Sequence, residues 1–360
     1  MDFSRLALRA PESGEQGLPS SSSASSSSNS SSGRQTTSGS ASSSNQGPDY
    51  YKQASQRLQG LLAGVGDGEE ELVNGIIMDQ TPEQKIALSA MAGGMIAATA
   101  FFICWMFHLD PLGGASLSMH SLQAAALGAA ASLPLVVIKA YLWSEHGKRQ
   151  IGWVEDWHRS QVECFKPLMH QLTPAQTLLF MASEVVPGVL ILLPAAMGGI
   201  EKALLLGGEV MGYDDLPPFA LQAAALLLTA TAAGVSKLAE NMMTLEEYDM
   251  VKGALDNADR YYKVMTMSRD SKSGDAQRAA DAFRTVALTW MARSQLVSQL
   301  AAGLAVVEVV YLGMLWQETG DLAAPLVAAL AASSVDFAHI RRSISLPKRK
   351  QASSSSAYWF

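Results

Sequence analysis

Six stretches of this chain are apolar over about the 20 residues that a helix needs to cross a hydrocarbon layer of roughly 30 Å, and nothing else in it constrains the fold as much. They are residues 86–107, 116–138, 174–200, 216–236, 294–316 and 322–340. The first, second and fourth contain no Asp, Glu, Lys or Arg, the third contains only Glu184, the fifth only Glu308, and the sixth Asp336. Inside a bilayer each backbone amide must find its partner within the protein, so such runs fold as helices. The expected class is therefore all-α: a polytopic membrane helix bundle of about six transmembrane helices. Only 16% of the residues are charged, against roughly 25% in ordinary soluble domains, which points the same way.

Basic residues supply an independent test, because they accumulate on the side from which a membrane protein inserts. Six Lys or Arg precede the first run, five lie in residues 139–173, nine in 237–293 and five after the last run. The remaining connections hold only Lys202. This alternation is what six spans require, and it puts both termini and the two long connections on one side.

Around this core the chain divides into a Ser-rich leader (1–48), a polar, amphipathic pre-membrane segment (49–85), the six-span domain (86–340) and a basic tail (341–360). The leader lacks the apolar residues that would offset its ordering entropy and is expected to be disordered. Its Ser-rich, acid-poor tract matches a transit peptide, and it has no apolar region ahead of an A-x-A site, as a secretory signal would. Within 237–293, Leu245, Tyr248, Val251, Leu255, Ala258, Tyr262 and Met265 recur at helical spacing. They predict an amphipathic helix that lies on the membrane surface or caps the bundle. The two long connections are the expected contact regions for protein partners, and the bilayer is the other partner. No nucleic-acid partner is expected.

Ionisable groups within membrane spans are costly and mark candidate sites. At about 1.5 Å per residue, Glu184 and Glu308 lie roughly 15 and 21 Å from the basic side, near mid-depth. As a pair they can share a proton, bind a cation or accept hydrogen bonds from a ligand. The structural alternative is a pair of neutral carboxyls bonded to backbone that Pro187 and Pro194 leave unpaired. Asp336 and His339, three apart, are expected to form a local ion pair. Arg293 ends its span where it can snorkel. Cys104 and Cys164 show no C-x-x-C spacing and read as free thiols. No histidine occurs between Gln171 and Ala338, so the later spans offer no imidazole for a metal or a general base. No metal or cofactor is expected. Phosphate-loop, dinucleotide, hydrolase-elbow and zincin strings are absent, and a transporter reading of the carboxylates finds no internal repeat to lean on.

The stretch "YLGMLWQETGDLAAPLVAALAASS", residues 311–334, resembles the closing segment of the CPBP (CAAX protease/bacteriocin-processing) intramembrane protease family: a Tyr, then T-G-S-L-W-A-P, then H-x-x-x-N. Thr319, Gly320, Leu322, Ala324 and Pro325 match it, while the His position holds Ala329 and the Asn position Ser333. The stretch around "SEVVPG" resembles the family's E-E-x-x-x-R motif, with Glu184 at the second Glu, Ser183 at the first and Gly188 at the Arg. The F-x-x-x-H motif has no counterpart. The resemblance covers residues 174–342 and implies a CPBP-like membrane domain without the protease's histidines, hence no catalytic residues, with Glu184 and Glu308 as remnant or ligand-contact carboxylates. It is similar to the degenerate plant and green-algal chloroplast branch, the balance-of-chlorophyll-metabolism scaffold proteins. That likeness implies a non-proteolytic scaffold or regulator in the thylakoid membrane, with stromal termini and partners bound through residues 139–173 and 237–293. The alternative is an intramembrane CAAX-type endopeptidase with an unconventional carboxylate site.

Overall fold

In a computed structural model of the chain, residues 50–66, 69–211, 217–267 and 273–345 are described, and every regular element among them is helical. The Ser-rich leader and most of the basic tail lie outside the described residues. Helices α1 (Tyr50–Gly66) and α2 (Glu69–Asp79) precede α3 (Pro82–Met106), α4 (Met119–Ala131) and α5 (Leu133–Trp143). Then come α6 (Glu145–Gln150), α7 (Val154–Met169), α8 (Pro174–Leu190), a π-helical segment (Ile191–Met197) and α9 (Gly198–Met211). The chain continues through α10 (Pro218–Asn241), α11 (Leu245–Asp256), α12 (Ala258–Met267), α13 (Ser273–Thr319) and α14 (Ala323–Ser345). Six helical stretches among the described residues are long and apolar enough to cross a membrane, the six expected.

Local chemistry explains the boundaries. The strings Thr81-Pro82-Glu83-Gln84 and Thr173-Pro174-Ala175-Gln176 each form a capping box with proline at the first helical position, and they start α3 and α8. In each, Thr and Gln satisfy reciprocal backbone donors that the helix itself leaves orphaned. The second span breaks between α4 and α5 at Ser132, just before Pro134, and the Tyr311 hydroxyl donates to the Ala131 carbonyl there. In the third span Pro194 lies inside the π-helical turn, whose wider ring accommodates a residue that lacks an N–H and crowds the preceding turn.

The membrane core is built on α14, whose Ala324, Ala328, Ala329 and Ala332 pack with Val189, Leu193, Met197, Leu226, Leu312 and Leu315. Small residues allow backbone to touch backbone. A Cβ at Gly128 would stand 2.1 Å from the Ala324 carbonyl oxygen, and one at Gly93 would stand 2.3 Å from that of Ser183.

The two ends of the bundle are tied differently. At one end the α3–α4 and α13–α14 turns lock together. The Leu322 amide and the Trp316 indole both donate to the Gly113 carbonyl at 3.1 Å. Gly114, at φ +86°, sits so close to Gly320 that a side chain would clash with its carbonyl. At the other end Lys85, fully buried, donates to the carbonyls of Pro167 and His170, capping the end of α7.

The amphipathic stretch is two helices rather than one. It breaks at Asn257, whose side chain donates back to the Gly253 carbonyl. Both halves pack on α1 and on the first half of α13. Val251, Ala258 and Tyr262 bury against Ala54 and Leu58 of α1 and Phe283 of α13. With 47 residues, α13 is about 70 Å long and extends far beyond a hydrocarbon layer. Its first half is the spine of this second, extramembrane core.

Candidate functional site

Glu184 and Glu308, the two carboxylates singled out by their cost, line one cavity of about 200 Å³. Glu184 comes from α8, about two turns before the π segment, and Glu308 from α13. The walls are apolar and small: Ile96 of α3, Gly188 and Leu192, Ala233 of α10, Ala305 of α13 and Ala329 of α14. Ser236, Lys237 and Ser333 add polar groups. The two carboxylates therefore share one cavity wall.

Behind Glu308 lies a polar chain that spacing alone does not reveal. Lys139 Nζ is 3.4 Å from Glu308 Oε1 and 2.9 Å from Asp336 Oδ2. The Trp143 indole donates to Asp336 Oδ1 at 2.9 Å. The Lys139 side chain is only 17% exposed, so this is an interior ion pair in which each charge needs the other.

These contacts correct one expectation and add to two others. Asp336 pairs with Lys139 on another helix, not with His339 on its own. The His339 ring instead stacks on Trp143 with centroids 5.2 Å apart. Lys139 and Lys237 each follow the last residue of an apolar run, the position of a connection. Here α5 and α10 continue past them, to Trp143 and Asn241, and both face inward. Arg293 does more than snorkel, since its guanidinium lies 3.6 Å from Asp156 of α7. Burial raises the Asp156 carboxyl above its ordinary range, although Arg293 and Arg159 pull it down.

At the end of the bundle where α7 lies, His158 is 4% exposed and stacks on Trp143 at 3.7 Å. Burial, with Lys148 and His339 nearby, pushes this imidazole down to about 3, so the ring is neutral. Among the described residues neither ring nitrogen has a hydrogen-bond partner. At the opposite end Asp321 is fully buried and accepts from Ser121 Oγ at 2.5 Å and the Ala323 amide at 2.8 Å. Burial alone would raise it, but these bonds and His120 together hold the carboxyl below its ordinary range. Cys104 and Cys164 are free thiols, as expected. Among the described residues no three His, Cys, Asp or Glu side chains come together to hold a metal ion.

The positions quoted for the CPBP resemblance come together as well. Glu184, Gly188, Ala329 and Ser333 all line the cavity, although 145 residues separate Glu184 from Ala329 in the chain. Comparison of the chain with protein-family models, curated proteins and solved structures finds no match.

Proposed function

We infer that the protein is a non-proteolytic, CPBP-like integral membrane scaffold or regulator, resident in the chloroplast thylakoid membrane and acting on chlorophyll metabolism through protein partners. The observation that supports the reading is that the four positions aligned with family motif residues line one cavity, where only Glu184 keeps the family's residue and Gly188, Ala329 and Ser333 depart from it. A water-activating site needs a base and a second group to hold or relay a proton. The second carboxylate present, Glu308, has an ammonium 3.4 Å away. The thylakoid and chlorophyll assignments rest on the resemblance and the Ser-rich leader. The helical platform formed by α1, α11, α12 and the first half of α13, together with α7, supplies partner surfaces on the side that carries the basic connections.

Affinity purification with crosslinking from native thylakoids tests this. Stable recovery of defined partners supports it, and recovery of the protein alone overturns it.

A second reading, an intramembrane CAAX-type endopeptidase, draws on Glu184 and Glu308 sharing a cavity. It requires the purified protein to cleave a prenylated peptide in a manner abolished by Glu184→Gln. An inert preparation, indifferent to that change, removes it.

A further inference from the structure

Two contacts fix the height of α11 against the span of α13. At the lower end, where α10 stops, the Ser298 hydroxyl of α13 donates to the Asn241 carbonyl at 2.6 Å. Ser298 lies 4 residues inside the apolar run that begins at residue 294, about 6 Å along the axis. Just past the upper end, Asp259 of α12 meets Arg284 of α13 at 2.6 Å. Arg284 precedes Ser298 by 14 residues, about 21 Å along α13. Between these ties α11 climbs from the edge of the hydrocarbon layer towards water.

The exposed side of α11 is graded along that climb. Leu245 is 82% exposed, the Tyr248 ring is exposed, and the exposed Lys252 places its ammonium 5.9 Å from the centre of that ring. Tyr248 and Lys252 stand about 5 and 10 Å beyond Leu245 along the helix, and the headgroup layer is about 5 to 8 Å deep on each side. Apolar, then amphipathic, then charged is the order in which a bilayer passes from acyl chains through headgroups to water. The same stripe prolongs an exposed one on α10. Leu228, Val235 and Met242, all exposed, are spaced seven residues apart, and Leu245 follows three residues later.

We propose that Met242 and Leu245 dip into the acyl boundary of the basic-side leaflet, with Tyr248 among the headgroups and Lys252 at the water edge, so that the lipid surface is the partner of this face of α11. This seating needs only a membrane-spanning chain and is independent of the scaffold reading. It is not selective for lipid charge. Glu246, Asp249 and Asp256 flank the stripe and are exposed, and they oppose attraction to an anionic surface. The driving force is apolar burial together with the interfacial preference of tyrosine. Because Val251 on the other side of α11 is buried against α1 and α13, the contact ties the platform to the bilayer.

The test uses the full-length Cys164→Ser protein in phosphatidylcholine vesicles, with the fully buried Cys104 left in place. Leu245→Cys, Lys252→Cys and Val264→Cys each carry a nitroxide. Its relaxation is read with oxygen, which partitions into lipid, and with a water-soluble nickel chelate. Val264 is the control, an equally apolar and exposed residue on α12, beyond the level of Arg284. The oxygen-to-nickel accessibility ratio should be several-fold higher at residue 245 than at 252 or 264. It should not change when anionic lipid replaces part of the phosphatidylcholine. If Leu245→Cys loses its helical circular dichroism, Met242→Cys reads the same depth. A ratio at 245 as low as that at 264 overturns the proposal. So does shielding of 245 from both reagents, which would place protein there, a second copy if the shielding fades on dilution into excess lipid.

Discussion

Lys139 Nζ lies 2.9 Å from Asp336 Oδ2, joining the second span to the last. Both side chains are shielded, at 17% and 21% exposure, and the same ammonium serves Glu308. Removing one member of an interior ion pair leaves an uncompensated charge and costs about 3 to 5 kcal/mol. Lys139→Met should therefore lower the thermal unfolding midpoint in detergent sharply. Adding Glu308→Gln and Asp336→Asn should restore much of the loss, because no excess charge is then left behind. A single Lys139→Met variant as stable as the parent would show that the triad contributes nothing.

His158 makes stability depend on pH. Its imidazole is held at about 3 in the folded protein, while the unfolded chain titrates near the ordinary value of about 6.5. Below that value the unfolded state takes up a proton that the folded state refuses, so stability is fully present above about 6.5 and is lost as pH falls towards about 3. His158→Phe keeps a ring on Trp143 and removes the proton site. Unfolding midpoints measured between pH 7 and pH 4 should fall less steeply for the variant than for the parent protein.

Asp321 acts at the other end of the bundle with the same sign. Its carboxyl is held below the ordinary range by Ser121, the Ala323 amide and His120, in excess of the opposing effect of burial. Its contribution is present above the unfolded value of about 4 and is lost as pH falls through the folded value. Asp321→Asn should cost about 2 kcal/mol at neutral pH, the scale of a hydrogen bond to a charged group. The gap between variant and parent should close below about pH 4. A gap that stays constant across that range would assign the loss to packing.

Two glycines should respond oppositely to alanine. At Gly128 the added methyl would stand 2.1 Å from the Ala324 carbonyl oxygen, so α4 and α14 must separate, at a cost of about 1 to 3 kcal/mol. At Gly60, inside α1, nothing lies within 4 Å of the methyl. There the helix gains about 0.5 to 1 kcal/mol from lost unfolded-state freedom. Parallel thermal melts of the two variants check both signs.

The spans were legible because membrane helices announce themselves by length and apolarity, and the two capping boxes by local spacing. Glu184 and Glu308 were legible as anomalies inside such runs. Lys139 was not. A lysine just after an apolar run reads as the end of the span, and only the continuation of α5 to Trp143, packed beside α14, turns it inward. The partner of Asp336 escaped for a related reason: helical spacing proposes local pairs, whereas Lys139 lies 197 residues away. The full length of α13 was also hidden, because its first half alternates charged and apolar residues like any surface helix and continues into the span without a break.

That continuity makes α13 a rigid shaft. Phe283, in the platform core, and Glu308, in the wall of the cavity, are 25 residues apart on one helix, about 37 Å along its axis. A tilt of about 5° at the cavity would swing the platform end by about 3 Å, with no break in the helix between to absorb it. A displacement of α13 beside Glu308 is thereby passed, as a change of position, to the platform that packs on its first half.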